Sequence, residues 1–437
     1  MWGQVLNCGV PDGHATIQDL TPHAIFHATM SPSAMSRMTW AAAVLTVAAI
    51  PAGAPAFRQD APPQRPTFRA ATDVVLIDAQ VVARDGTPVQ GLTADQFEVF
   101  IDGRRRPVLS AEFVRAGEAP ASAAGVPAPP GSLPTDGRVI VLGIDQASFP
   151  VSAQASAREA ATRVLDRVAP EDYLGMIAFP GSVAVAPTRD RAPIREGIAR
   201  IAGIRVDPPP SRFSISASEA AQLTSREAVV TKEIVGRECR QDFLNPTCPQ
   251  EVIRDGSAIA QVLEQQALQS IAGIHDVLDA IAWPGRKTLM LVSAGVPMSR
   301  RPGSTTSLDA ETERIARRAA AANVNLYVLY LNIHFLEAFS AARGRQNHSI
   351  FGDIGMFASG LERFADGGGG TFFQIEVDSD PFVDRALRET SASYLLAVRA
   401  EPSERDGKEH YIRVAVKQRG SSVRYRRVVA IPRGDRH

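Results

Sequence analysis

Asp145 is the residue best placed to do chemistry. It ends Val139–Ile144, a short run without polar alternation. Such a run suits a strand buried on both faces, as in a parallel sheet covered by helices. A carboxylate at the C-terminal end of a central strand sits where open α/β sheets bind ligands. The plain alternative is that Asp145 caps a backbone turn or the helix that follows. The second chemical pair is Cys239 and Cys248. No His stands near them in sequence to complete a zinc set, so a disulfide is the simplest reading.

Other motifs are absent or bland. There is no Gly-x-Ser-x-Gly elbow and no His-Glu-x-x-His. Gly367–Gly370 lies after a helical pattern and before a strand, the reverse of a phosphate loop, and reads as a helix end and turn. Gly285-Arg286-Lys287-Thr288 leads into a strand and lacks the Walker spacing. His275 sits on an apolar helical face and reads as a packed or half-exposed histidine. Arg104–Arg106, and likewise Arg424, Arg426 and Arg427, read as solvated guards on strand edges. No nucleophile–base pair emerges, so a hydrolase is disfavoured.

The elements that must position Asp145 follow in order. Residues 68–115 carry Val- and Ile-rich strands with Asp-Gly turns, a small β-sandwich-like module. Residues 116–137 are an Ala/Pro/Gly/Ser-rich linker. From 138 to 392 strands alternate with helical patterns, as in a doubly wound, mostly parallel α/β sheet. Insertions at 205–254, with Pro208-Pro209-Pro210 and both cysteines, and at 332–355, with His334 and His348, interrupt it. Residues 393–437 return to β alternation as a C-terminal β segment.

Composition bounds the function. Lys plus Arg and Asp plus Glu each number 47, so no basic balance points to nucleic acid. Arg37, the apolar run Thr39–Ile50 and Ala54-Pro55-Ala56 make 35–56 a secretory signal peptide, with an uncleaved membrane anchor as the alternative. Residues 1–34, which include Cys8, read as an over-extended translation start, and 57–67 as a linker. The compartment expected is periplasmic or extracellular.

Together these pieces resemble the von Willebrand factor type A domain, and more narrowly the bacterial secreted VWFA-related proteins of acidobacterial type. The resemblance spans roughly residues 68–431. It is carried by Asp73–Ile77 with Arg84-Asp85-Gly86 and Gly91–Phe97, by Gly175–Phe179 with Pro187–Asp190, by Ser216–Ala220 and Arg237-Glu238-Cys239, by Ala365–Gly370 before Thr371-Phe372-Phe373, and by Asp406-Gly407-Lys408. Type A domains often hold Mg²⁺ with Asp-x-Ser-x-Ser, a later Thr and a fourth-strand Asp. Asp145 matches the first acid and Thr188 the Thr. Ala147 and Phe149 replace both serines, and Ser293-Ala294-Gly295 has lost the second acid. A hard cation wants more oxygen ligands than this. The resemblance therefore implies a degenerate metal site, with Asp145, Ser148, Thr188 and Ser293 as a possible ligand edge and no cofactor. The expected function is non-enzymatic binding of a protein partner. The alternative is Mg²⁺-dependent adhesion to a carboxylate-bearing ligand through Asp145 and Thr188. A membrane enters only through an uncleaved signal.

Mature protein is expected to begin at Phe57. Amino-terminal sequencing of exported material checks this, and material retaining residues 1–34 would contradict it.

Overall fold

The computed structural model describes residues 74–118, 137–181, 183–225, 228–242, 244–298, 307–333, 350–376 and 378–433. The expected translation start, signal peptide, first linker, most of the second linker, His334 and His348 lie outside the described residues.

The chain opens with β1 (Val74–Ala83), β2 (Phe97–Ile101), β3 (Arg104–Arg106) and β4 (Val108–Arg115). The α/β part then runs β5 (Val139–Asp145), α1 (Gln154–Arg167), β6 (Tyr173–Phe179), β7 (Val183–Thr188) and α2 (Ala192–Ala199). The insertion supplies α3 (Ala217–Ser225), α4 (Ala228–Glu238) and the start of α5 (Cys248–Ala280). After it come β8 (Lys287–Ser293), α6 (Leu308–Ala321), β9 (Val324–Leu331), α7 (Ile350–Gly367), β10 (Phe372–Ile375) and α8 (Asp380–Glu389). The tail is β11 (Ala392–Arg399), β12 (Glu409–Val416), β13 (Ser421–Tyr425) and β14 (Val428–Ala430).

The class is mixed α/β. A six-stranded sheet in the order β10-β9-β8-β5-β6-β7 is parallel except for β7, which returns antiparallel beside β6. Because β5 is apolar on both faces, it can be covered twice. Ile140, Leu142 and Ile144 pack with apolar residues of α1, α2 and α8. Val141 packs with those of α5, α6 and α7. Helix α5 is continuous for 33 residues from Cys248 and runs through residue 254 without a break. The Cys239–Cys248 disulfide forms, Cα to Cα 5.9 Å, and ties the end of α4 to the first residue of α5.

The two outer β regions are not separate pieces. β1 pairs with β11 and β13, and β2 pairs with β12. Two four-stranded antiparallel sheets, β13-β1-β11-β4 and β14-β12-β2-β3, enclose one core of Val75, Ile77, Phe97, Val99, Leu396 and Val414. Tyr394 locks the halves together. Its hydroxyl donates to the Val89 carbonyl at 3.0 Å and accepts from the Leu92 amide at 2.9 Å.

Of the arginines expected on solvated strand edges, Arg104, Arg105 and Arg427 are exposed, whereas Arg106, Arg424 and Arg426 are joints. Arg106 is 6% exposed and its guanidinium donates twice to Glu404. Arg286 donates to Ser393 at 2.6 Å and pairs with Asp78 at 3.0 Å. Arg426 donates to Asn325 at 2.9 Å, and Arg424 to Thr371 at 3.0 Å. Arg427 donates to Asp366. Each of these last bonds ties the β tail to the α/β part. The glycines before β10 serve the same contact. Gly369 has φ +73°, and a Cβ there would lie 2.6 Å from the backbone of Tyr425 and Arg426. A tight helix end and a close backbone approach are both met by glycine.

His410 clasps one end of the β core. Its side chain is 9% exposed, with Nδ1 2.7 Å from Asp102 and Nε2 3.1 Å from Asp406. A neutral imidazole has one N–H, so it cannot donate to both carboxylates. Burial lowers the His410 pKa, but the bonds to Asp102 and Asp406 outweigh it and the pKa stands above 6.5. The stabilisation is therefore complete below 6.5 and lost as pH rises through the folded value. His410→Gln should cost more melting temperature at about pH 6 than at about pH 9. An equal loss at both would show that the clasp is not ionic.

Candidate functional site

The end of β5 is closed. Asp145 lies opposite Phe179, the last residue of β6, and one 3-10 turn, Gln146–Ser148, follows it. Asp145, Ser148, Phe149, Ser293 and Ala294 are all 0% exposed. Two hydroxyls stitch this strand end to that of β8. Ser148 Oγ donates to the Asp145 carbonyl at 2.7 Å and accepts from the Ala294 amide at 2.8 Å. Ser293 Oγ donates to Asp145 Oδ2 at 2.9 Å and accepts from the Gly295 amide at 3.2 Å. Gln146 makes a third stitch, donating to the Pro180 carbonyl and accepting from the Ala202 amide, each at 2.8 Å.

Helix α5 covers the joint. Gln266 reaches the Ser148 carbonyl at 3.5 Å, and the Ser270 hydroxyl faces Asp145. Helix and strand ends come this close because of Gly273. A Cβ there would lie 2.0 Å from the Phe179 ring. Asp145 Oδ1 and Ser270 Oγ are both buried, and neither has a partner in hydrogen-bond geometry. Burial pushes the Asp145 pKa up to about 7, against the opposing pull of the Ser270 and Ser293 hydroxyls and the Ala147 and Ser148 amides. No cation is paired with it among the described residues.

Of the sequence-expected set, Asp145, Ser148 and Ser293 meet. Thr188 does not. It pairs with Leu174 at the start of β6, whereas Asp145 pairs with Phe179 at its end. Five residues of strand separate the two, about 17 Å. The cause is direction. β7 runs antiparallel, so its last residue falls at the opposite end of the sheet from the last residue of β5. Thr188 Oγ1 instead accepts from the Asp190 amide at 3.0 Å. Ser148, expected on the ligand edge, is a structural latch whose hydroxyl is engaged by the Asp145 carbonyl and the Ala294 amide.

The residues do not fit Mg²⁺. One enclosed carboxyl group and two hydroxyls already engaged with the backbone fall short of an oxygen cage with room for water. Among the described residues, no group of three His, Cys, Asp or Glu could hold a metal ion. Ser270, Gln266 and Gln146 escaped the sequence reading. The signal was present for two of them: Gln266 and Ser270 stand four apart on the stripe of Leu263, Ala267, Ile271 and Ile274, and polar residues on an apolar stripe ask for a buried partner.

No family model matches the sequence, and neither does any curated protein. Among solved structures the chain is similar to the conserved hypothetical protein BatB of Bacteroides thetaiotaomicron, at 13% identity and TM-score 0.28, over 58% of this chain and 98% of that one.

The enclosed acid has a measurable consequence. Moving a carboxyl pKa from 3.8 to about 7 corresponds to ~4 kcal/mol between its two protonation states. Since the folded value is raised, the contribution is complete below 3.8 and lost as pH rises through about 7. Asp145→Asn keeps the shape, accepts from Ser293 and can donate to Ser270. Relative to the parent, this variant should gain stability steadily from about pH 4 to pH 8 in denaturant melts, by roughly 2–4 kcal/mol. A pH-independent loss would mean that the carboxylate is the form the fold requires.

Proposed function

We propose that this chain is a secreted or periplasmic protein-binding module, non-enzymatic and independent of metal, built on a doubly wound sheet of type A kind. The observation that carries the reading is the closed end of β5. Ala147, Phe149 and Ala294 are buried where a metal-binding type A domain needs ligands, and α5 lies over them. Helices on both faces of the largely parallel sheet support the doubly wound assignment. The Cys239–Cys248 bridge supports an oxidising compartment. Among the described residues no helix is long and apolar enough to cross a membrane. Among the described residues, the acid whose pKa burial raises to about 7, Asp145, is sealed from any substrate.

Titration calorimetry with MgCl₂ should show no saturable heat up to concentrations on the order of millimolar. Saturable binding would instead favour adhesion through Asp145 to a carboxylate-bearing ligand. Chemical cross-linking in native cells should recover the same partner with and without EDTA. A partner that is released on chelation would overturn metal independence.

A further inference from the structure

Beside the closed strand end runs a strap of chain, residues 202–211, that belongs to neither core. Its first half is fastened to the turn after β5. The Ile204 amide donates to the Gln146 carbonyl at 3.0 Å, and the Arg205 amide to the Phe149 carbonyl at 3.1 Å. Contact there is so close that a Cβ on Gly203 would lie 2.3 Å from the Pro150 carbonyl oxygen. The far end is fastened to the insertion. Ser211 donates to Asp255 at 2.8 Å, Arg212 to Glu251 at 2.6 Å, and Phe213 is buried with Leu223, Ile234 and Val252.

Between these anchors the strap presents an apolar edge. Ile204 is 47% exposed, Val206 73% and neighbouring Val151 64%. Arg205 turns inward and pairs with Asp207 at 3.1 Å, so this edge carries little net charge. Single exposed aliphatics mean little. Here three lie on adjoining backbone and lead into Pro208-Pro209-Pro210, of which Pro209 and Pro210 are exposed. Proline fixes its own φ and keeps the residue before it out of the helical region. Asp207, Pro208 and Pro209 each precede a proline, so the run is held in the extended left-handed form. Both ends being tied, the cost of ordering it is already met in the free protein.

We propose that Val151, Ile204, Val206 and Pro208–Pro210 form the docking ridge of this protein, and that its partner is a protein presenting a groove lined with aromatic side chains. Extended proline runs fit such grooves because their rings pack on flat aromatic faces, and no free charge on this ridge asks for a counter-charge. The inference rests on the protein-binding reading above and adds where binding occurs and what receives it.

A photoreactive benzoylphenylalanine at Val206 or Pro209, in the full-length protein expressed in its native cells, tests it. Val229 and Leu76, 71% and 55% exposed and outside the ridge, serve as control positions. The ridge positions should capture one protein, with the adduct mapping beside Trp, Tyr or Phe. Decaproline peptide should compete the adduct away and a Gly-Ser peptide of equal length should not. Val206→Asp should weaken capture from Pro209 by roughly tenfold with an unchanged melting temperature. Adducts from Val229 or Leu76 alone would overturn the ridge and leave the protein-binding reading standing. Ridge adducts that decaproline does not compete would overturn the aromatic groove. No adduct from any position would count against both.

Discussion

An acid enclosed without a cation constrains everything around it. Asp145 cannot stay in the interior as a bare carboxylate at ordinary cost, so the fold supplies hydroxyls and favours the proton. That arrangement holds only while α5 stays seated. Ser270 and Gln266 must face the strand ends, and Gly273 must leave room for Phe179. The disulfide at Cys248 fastens the start of the same helix. The end of the sheet, where a ligand would be sought first, has thereby become an internal joint. On the reading proposed above, a partner docks beside it, where Ile204, Val206 and Val151 are exposed.

A second constraint closes the chain on itself. Strands from both outer regions interleave in one β core, and Tyr394 from the tail bonds the loop between β1 and β2. The same tail is fastened to the α/β part through Arg424, Arg426 and the glycine turn before β10. Glu389, 0% exposed, gathers bonds from Thr371 and Arg385 at this junction, while Tyr327 donates to Gln80 across it. Buried polar groups at such a junction act through geometry, since each must be paired to be tolerated.

Much of the scaffold was legible from pattern. Apolar runs marked β5, β6, β8 and β9, because strands covered twice have no polar face to show. The disulfide was legible from an even pair of cysteines close in sequence. What escaped depends on direction and partner. Thr188 was placed by the resemblance, although a hairpin partner of β6 already carries its last residue to the end of the sheet opposite Asp145. Arg106 and Arg426 looked like surface charges because a strand shows its residue types and not what covers each face. The interleaving of β1 with β11 joins residues more than three hundred apart, which no local pattern encodes.

The central claim is that Asp145 belongs to a sealed, metal-free joint. A ¹³C-carboxyl NMR titration of Asp145, with and without Mg²⁺, tests it most directly. The account predicts a midpoint at about 7 that Mg²⁺ leaves in place. A midpoint near the ordinary aspartate value of 3.8, or one that Mg²⁺ drives downward, would contradict it.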